Sequence, residues 1–466
     1  MAETPREPVN EYEREPVPET ARLGLRSFVG QYAGEHVAGT ELMIGPLFIT
    51  AGVSAFDLVA GLILGNILAV LSWTFLTAPI ATRMRLTLYY QLEKVCGRRL
   101  VTLYDLANGA MFTLLAGAMI TVATTALGVW IEFPMPGLAD YTPKGAGWVL
   151  AVLGVGVLFS VVAAYGYRIV ARFANFAAPW IILMFLAFGI VGLRALDVTS
   201  LRDFWPAAKT VIWTGGEPLA GKVKFTFWHV CFFAWFCNMA WHIGMADLSV
   251  LRYARKSWYG LASSAGMFIG HFLAWLSASI LYALQIHENS ANIDVLPGPL
   301  AYRACGVAGL ICVILAGWTT ANPTLYRAGL AFQAVMPRFS RFRVTLAVGL
   351  VATLTAIFPA VTMQLLEFVA LWGMILMPMG AVIFIDFWCF KRLGLRPFYA
   401  EASGASFNPA AAIAWLATLA VCTYLVLGGG VQIYFVSLPG WFMAVALYIA
   451  FSFVFQRRTP PGRSIA

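Results

Sequence analysis

The stretch FTFWHVCFFAWFCNMAWHIGMADLSVLRYARK, residues 225–256, decides how the rest of the chain is read. It opens as a bulky apolar run, and about 20 residues at roughly 1.5 Å rise cover the hydrocarbon core of a bilayer. Its middle does not suit a plain anchor: Asn238, His242 and Gly244 interrupt it, and Asp247 precedes the basic residues Arg252, Arg255 and Lys256. Backbone groups freed at membrane depth are tolerated only against protein or a water-filled cavity, so a polar, glycine-interrupted span predicts a binding site. Asn238, Trp241 and His242 lie at i, i+3 and i+4 and share one helical face, which is the first candidate binding surface.

Outward from this stretch the composition is that of a membrane protein. Of 466 residues, 60% are hydrophobic and 11% charged, far from the balance of a soluble domain. Apolar runs near 27–51, 57–81, 105–128, 147–166, 174–194, 225–256, 259–285, 304–322, 343–359, 362–386, 409–428 and 438–455 predict an all-α polytopic membrane protein with twelve transmembrane helices, spans 1 to 12. They are expected to form one twelve-helix domain, 27–456, between a Pro- and Glu-rich cytoplasmic tail (1–26) expected to be disordered and a second cytoplasmic tail at 457–466. Residues 82–100 are basic and amphipathic and predict a short interfacial helix.

The net charge of +9 reports topology rather than a nucleic-acid surface, because the basic residues gather in short connections. With twelve spans, 24 of the 31 Lys and Arg fall on the side of the termini. Both termini are therefore expected in the cytoplasm, the chain crossing the cell (inner) membrane many times. The seven cysteines are odd in number, lack CxxC pairing and mostly sit in apolar runs, so they predict packing and no metal or disulfide framework. No organic cofactor is expected, and the expected partners are the lipid bilayer and a small-molecule substrate, with the chain a monomer.

Span 1, SFVGQYAGEHVAGTELMIGPLFIT, is the second unusual one. Glu35, His36 and Glu41 lie within seven positions among several glycines. Each ionisable group costs about 2.5–3.5 kcal/mol at a helix centre, so three together need water, partners or a function. Contact with a polar or cationic substrate and proton coupling both remain open. His229 and His271 are expected to be packed, satisfied polar groups. Spans 1 and 6 both read as broken and lie five apart, so a second unit of five would be inverted relative to the first. That is the five-plus-five inverted-repeat transporter plan, with repeats near 27–194 and 225–386 and two further helices at 409–455. No HExxH or GxSxG motif supports an intramembrane enzyme.

PVPETARLG ahead of span 1, LILGN in span 2, ADLSVLRYARKS ending span 6, GWTTANPTLYRAGLAF in span 8 and MPMGAVIFIDFWCFKR ending span 10 appear in that order. With these motifs the chain resembles the nucleobase:cation symporter family, the purine and cytosine permeases, over nearly its whole length. The resemblance implies a sodium site at Gly34, Ala38, Ala316, Thr319 and Thr320, and oxygen ligands from an unwound helix suit a hard cation. It also implies a substrate site in which aromatic residues of spans 3 and 6 hold a planar base beside an amide. Here those positions carry Leu115, Phe112 and Asn238 instead, with Trp241 within a turn. The candidate substrate residues are thus Glu35, His36, Gly39, Phe112, Leu115, Asn238, Trp241 and His242. The function expected is import of a small nitrogenous ring compound, a nucleobase or related metabolite, by cation symport, with sodium as coupling ion. The alternatives are a proton-coupled carrier of another polar or cationic metabolite and, from a different class, a non-transporting membrane sensor.

Overall fold

The computed structural model describes residues 11–458 apart from 294 and 364. Among the described residues the chain is helical, with isolated bridges at Leu23–Ala254 and Ser54–Thr214. Nine helices of the described residues are long and apolar enough to cross a membrane. Shorter apolar helices, Glu41–Thr50 and Phe227–Phe236, belong to spans 1 and 6. The protein is a multi-pass membrane protein.

Both expected breaks are present. Span 1 is Leu25–His36 followed by Glu41–Thr50, and span 6 is Phe227–Phe236, Met239–His242 and Leu248–Leu251. In span 6 the amides of Gly244, Ala246 and Asp247 reach back to the carbonyls of Met239, Ala240 and Trp241 at 2.8–3.1 Å, so the helix loosens without orphaning its donors. Met245 takes a left-handed conformation, φ 61°, at the centre of this loosened turn. Other spans satisfy what remains. Thr77 Oγ1 donates to the His242 carbonyl at 2.5 Å, and Thr320 Oγ1 donates to the Glu35 carbonyl at 2.9 Å.

Close approach of small residues sets the packing around the breaks, the usual device where lipid offers no hydrophobic drive between helices. Span 3 (Arg98–Ile131) runs along span 8 (Pro297–Val335), the first half of span 1 packs on span 5 (Tyr167–Ala195), and its second half on Leu273–Glu288 of span 7. Two spans carry a widened, π-type turn, at Trp73–Thr77 in span 2 and at Ala265–Phe272 in span 7. Such turns re-aim side chains and concentrate at functional sites. Here they place Trp73 and His271 against the breaks of spans 1 and 6.

Two expectations for the flanks change. Residues 11–26 do not form a free tail: Arg252 donates to the carbonyls of Glu11 and Tyr12 at 2.7 Å each, and the Leu23 amide donates to the Tyr253 carbonyl. A fully buried guanidinium requires such acceptors, and the tail supplies them. Residues 1–10 and 459–466 lie outside the described residues, while the last helix continues to Arg458. The helix within 82–100 exists as Leu88–Cys96, but Leu88, Tyr89, Leu92 and Val95 are buried against protein rather than at an interface with lipid.

Candidate substrate cavity and charge cluster

The breaks of spans 1 and 6 face each other across a cavity of about 380 Å³. Small-molecule sites commonly enclose about 300–1,000 Å³, so this one suits a compound of one or two rings. It extends past Ile44 and Leu47 to the connections at 221–225 and 432–434, at the end of span 1 away from Leu25. Opposite this opening lies the charge cluster described below. The cavity thus opens toward one membrane face and is shut toward the face that holds residues 11–26.

Of the candidate substrate residues, Glu35, His36, Leu115, Asn238 and Trp241 line the cavity. Asn238 sits in the gap between two segments of span 6, 7% exposed, with its side-chain amide near the His271 ring. Three candidates are elsewhere. His242 is fully buried, hydrogen-bonded through Nε2 to the Trp235 carbonyl at 3.0 Å and packed on Trp73. Phe112 packs edge-on against Trp372, ring centres 4.3 Å apart, and supports Trp241 from behind. Gly39 is a packing glycine: a Cβ there would lie 2.6 Å from Val122 Cγ1 of span 3. The face holding Asn238, Trp241 and His242 in an ideal helix therefore splits, and Phe233 and Phe236 join the wall instead.

Of the five candidate sodium residues, Ala316, Thr319 and Thr320 lie together on span 8 where span 1 unwinds, and Ala38 and Thr320 line the cavity. Thr319 Oγ1 donates to the Ala316 carbonyl at 3.2 Å, and Thr320 Oγ1 reaches both that carbonyl and the carbonyl of Glu35. Span 1 thus presents the Glu35 carbonyl at this junction. A Cβ on Gly34 would meet Ala174 of span 5 at 3.2 Å, so this glycine lets spans 1 and 5 approach closely. The donor set of carbonyl and hydroxyl oxygens is the kind a sodium ion takes.

Beneath the cavity Arg327 of span 8 joins spans 1 and 6. Its Nη1 donates to Glu35 Oε1 at 2.5 Å, and its Nη2 to Asp247 Oδ1 at 2.6 Å and to Glu35 Oε2 at 3.3 Å. The three side chains are at most 3% exposed. Tyr32 and Trp73 donate to Asp247 Oδ2 at 2.8 and 2.6 Å, and Trp241 and Gln31 donate to the two oxygens of Glu35 at 3.1 and 3.2 Å. Charges survive burial only when paired and hydrogen-bonded in this way. Arg327 stands in the sequence among the cations that mark topology, and nothing in residue order pairs it with Asp247. The available signal was that Arg327 falls inside the continuous run GWTTANPTLYRAGLAF, at the depth where a cation needs a carboxylate. His271 is packed as expected, 3% exposed and stacked on Trp275, and its ring also lines the cavity.

Two discontinuous helices around a central cavity, with an unwound segment beside span 8, form a transporter architecture. Comparison with solved structures bears this out. The chain has the fold of Mhp1. That nucleobase-cation-symport-1 family transporter, in a closed conformation with bromovinylhydantoin bound, superposes with a TM-score of 0.74 at 14% identity over 98% of both chains. Its inward-facing conformation gives 0.71 at 15% identity, covering 96% of this chain and 94% of that one. A Na⁺-coupled sialic acid symporter in a substrate-bound outward-open state gives 0.70 at 15% identity, covering 96% of this chain and 92% of that one. By sequence, no family model and no curated protein matches. The likeness lies in the backbone, and 14–15% identity leaves the chemistry of the cavity to this chain's own residues.

Proposed function

We propose that this chain is a secondary active transporter that carries a small nitrogenous ring compound, a nucleobase or related metabolite, by symport with sodium. The observation that carries the proposal is the junction of span 1 and span 8. There Thr319, Thr320, the Ala316 carbonyl and the Glu35 carbonyl converge beside a cavity that both broken helices line. The symporters that share the fold support it. Gly34 and Ala38 of span 1 complete the proposed sodium ligands through their backbone carbonyls. An ion held there would tie the two helices together at the wall of the cavity, so sodium and substrate would favour the same conformation. The bias of Lys and Arg toward the side of the termini supports insertion in the cell membrane with the termini cytoplasmic. In that orientation the cavity opens outward and loading occurs from outside, which is import.

Thr319 gives the cleanest test of the ion, because its hydroxyl bonds only within its own helix. Thr319→Val keeps the volume and breaks no bond between helices. In proteoliposomes the variant is expected to insert normally while sodium no longer stimulates uptake of a radiolabelled nitrogen-heterocycle panel. Wild-type uptake indifferent to sodium, or equal stimulation in the variant, would remove sodium from the proposal.

Asn238 is expected to orient the ring through its side-chain amide. Leaving a polar group of the ligand unpaired in a buried site costs about 1–3 kcal/mol, so Asn238→Ala should weaken binding roughly 5- to 150-fold. Calorimetry on the purified variant reads this, and unchanged affinity in a normally folded protein excludes Asn238 as a major contact.

A further inference from the structure

The two acidic residues on the cavity wall have different electrostatic surroundings. Glu35 gives both carboxylate oxygens to Arg327, and Trp241 and Gln31 add donors. Its carboxylate is already engaged by a cation of the protein. Glu41, at the start of the second half of span 1, is 3% exposed and lines the same cavity. Its Oε2 accepts a hydrogen bond from Trp275 Nε1. Its Oε1 has His271 Nε2 at 3.6 Å, and no Lys or Arg of the described residues pairs with it. The lysine on the cavity wall, Lys222, is exposed in the connection at the opening. A carboxylate this deeply buried is held either as the neutral acid or by a cation that joins it.

The surroundings of Glu41 suit the second case. Trp275 stacks on His271 with ring centres 4.3 Å apart, which fixes the carboxylate's donor, and Phe233 packs on Trp275 from the cavity side. Phe236 and Trp241 extend the aromatic wall. Aromatic faces beside one buried carboxylate make a receptor for a cationic nitrogen attached to a flat ring.

We propose that Glu41 is the anchor for a positively charged nitrogen of the substrate, a ring-borne amidinium or protonated amine, and that the cavity therefore selects cationic over neutral ring compounds. This rests on the proposed transport function and narrows its substrate class. The three components have separate roles: Glu41 supplies charge, Phe233 and Trp241 supply apolar and π contact, and Asn238 supplies orientation.

The test uses benzamidine and benzamide, which share size and shape and differ in charge, with binding to the purified full chain measured by calorimetry. A charge-assisted hydrogen bond in a dry site is worth about tenfold or more in affinity. The wild type is expected to bind benzamidine at least about tenfold more tightly than benzamide. Glu41→Gln, which keeps an acceptor for Trp275, is expected to bring the two within about threefold by losing benzamidine affinity alone. Equal or absent binding of both compounds by the wild type overturns the proposal without any variant. So does a benzamidine preference that survives Glu41→Gln. Sodium-coupled uptake of a neutral ring compound combined with no cation preference would defeat this inference and leave the transport function standing.

Discussion

Arg327→Met is expected to cost about 3–5 kcal/mol of stability, the penalty typical of breaking a buried ion pair from one side. Removing the guanidinium leaves Glu35 and Asp247, at 3% and 0% side-chain exposure, without a countercharge. Tyr32, Trp73, Trp241 and Gln31 would still donate to them, but neutral donors do not balance two charges in a low-dielectric interior. The readout is the thermal unfolding midpoint in detergent and the yield of monodisperse protein. The triple replacement Arg327→Met, Glu35→Gln, Asp247→Asn is expected to recover most of the loss, since it removes the charges together and keeps the acceptors. Failure of the triple variant to recover would show that Arg327 acts through packing instead. Spans 1, 6 and 8 meet at this cluster, so under the proposed transport function opening toward the side of the termini would require it to part or to move as a unit.

Gly380→Val in span 10 should be nearly as damaging, about 3 kcal/mol or more, toward the upper end of the cost of overpacking. A Cβ at this position would collide with the Ile243 carbonyl and lie 3.0 Å from Gly244 Cα, in the loosened turn of span 6. Both obstacles are backbone, which cannot swing aside as a flexible side-chain end can. The neighbouring turn is already committed, because the Gly244 amide bonds the Met239 carbonyl at 2.8 Å and Met245 is left-handed. Gly154→Ala in span 4 is the matched control: nothing lies within 4 Å of its Cβ, so it should be neutral or slightly stabilising. Comparable losses of thermal stability in the two variants would show that the approach of span 10 to the break is not tight.

The helical membrane architecture was legible in the sequence because bilayer thickness imposes a length of apolar run, and because polar residues and glycines inside such a run mark where a helix comes apart. Glu35, His36 and Asn238 stand at those marks, and all three reach the cavity. Register fails across an interruption. Helical spacing groups His242 with Asn238 and Trp241, but the intervening turn is not ideal, and His242 is turned onto Trp73 while Trp241 stays on the wall. Likewise the spacing within span 3 does not say whether Phe112 or Leu115 points inward; packing against Trp372 takes Phe112, and Leu115 is left facing the cavity.

The sequence by itself determined that this chain crosses a membrane on helices, that spans 1 and 6 are broken, and that ionisable groups lie at depth. Each follows from local composition against a slab of fixed thickness. Only the tertiary structure decided which of those charges are already neutralised. Glu35 and Arg327 are 292 residues apart in the chain, and Asp247 and Arg327 are 80 apart. Pairings of that kind depend on how three helices are brought together. The same packing leaves Glu41 with Trp275, 234 residues away, as a hydrogen-bond donor and gives it no arginine among the described residues. Whether a carboxylate holds the fold together or faces a ligand is therefore set by its neighbours in space, which the order of residues does not display.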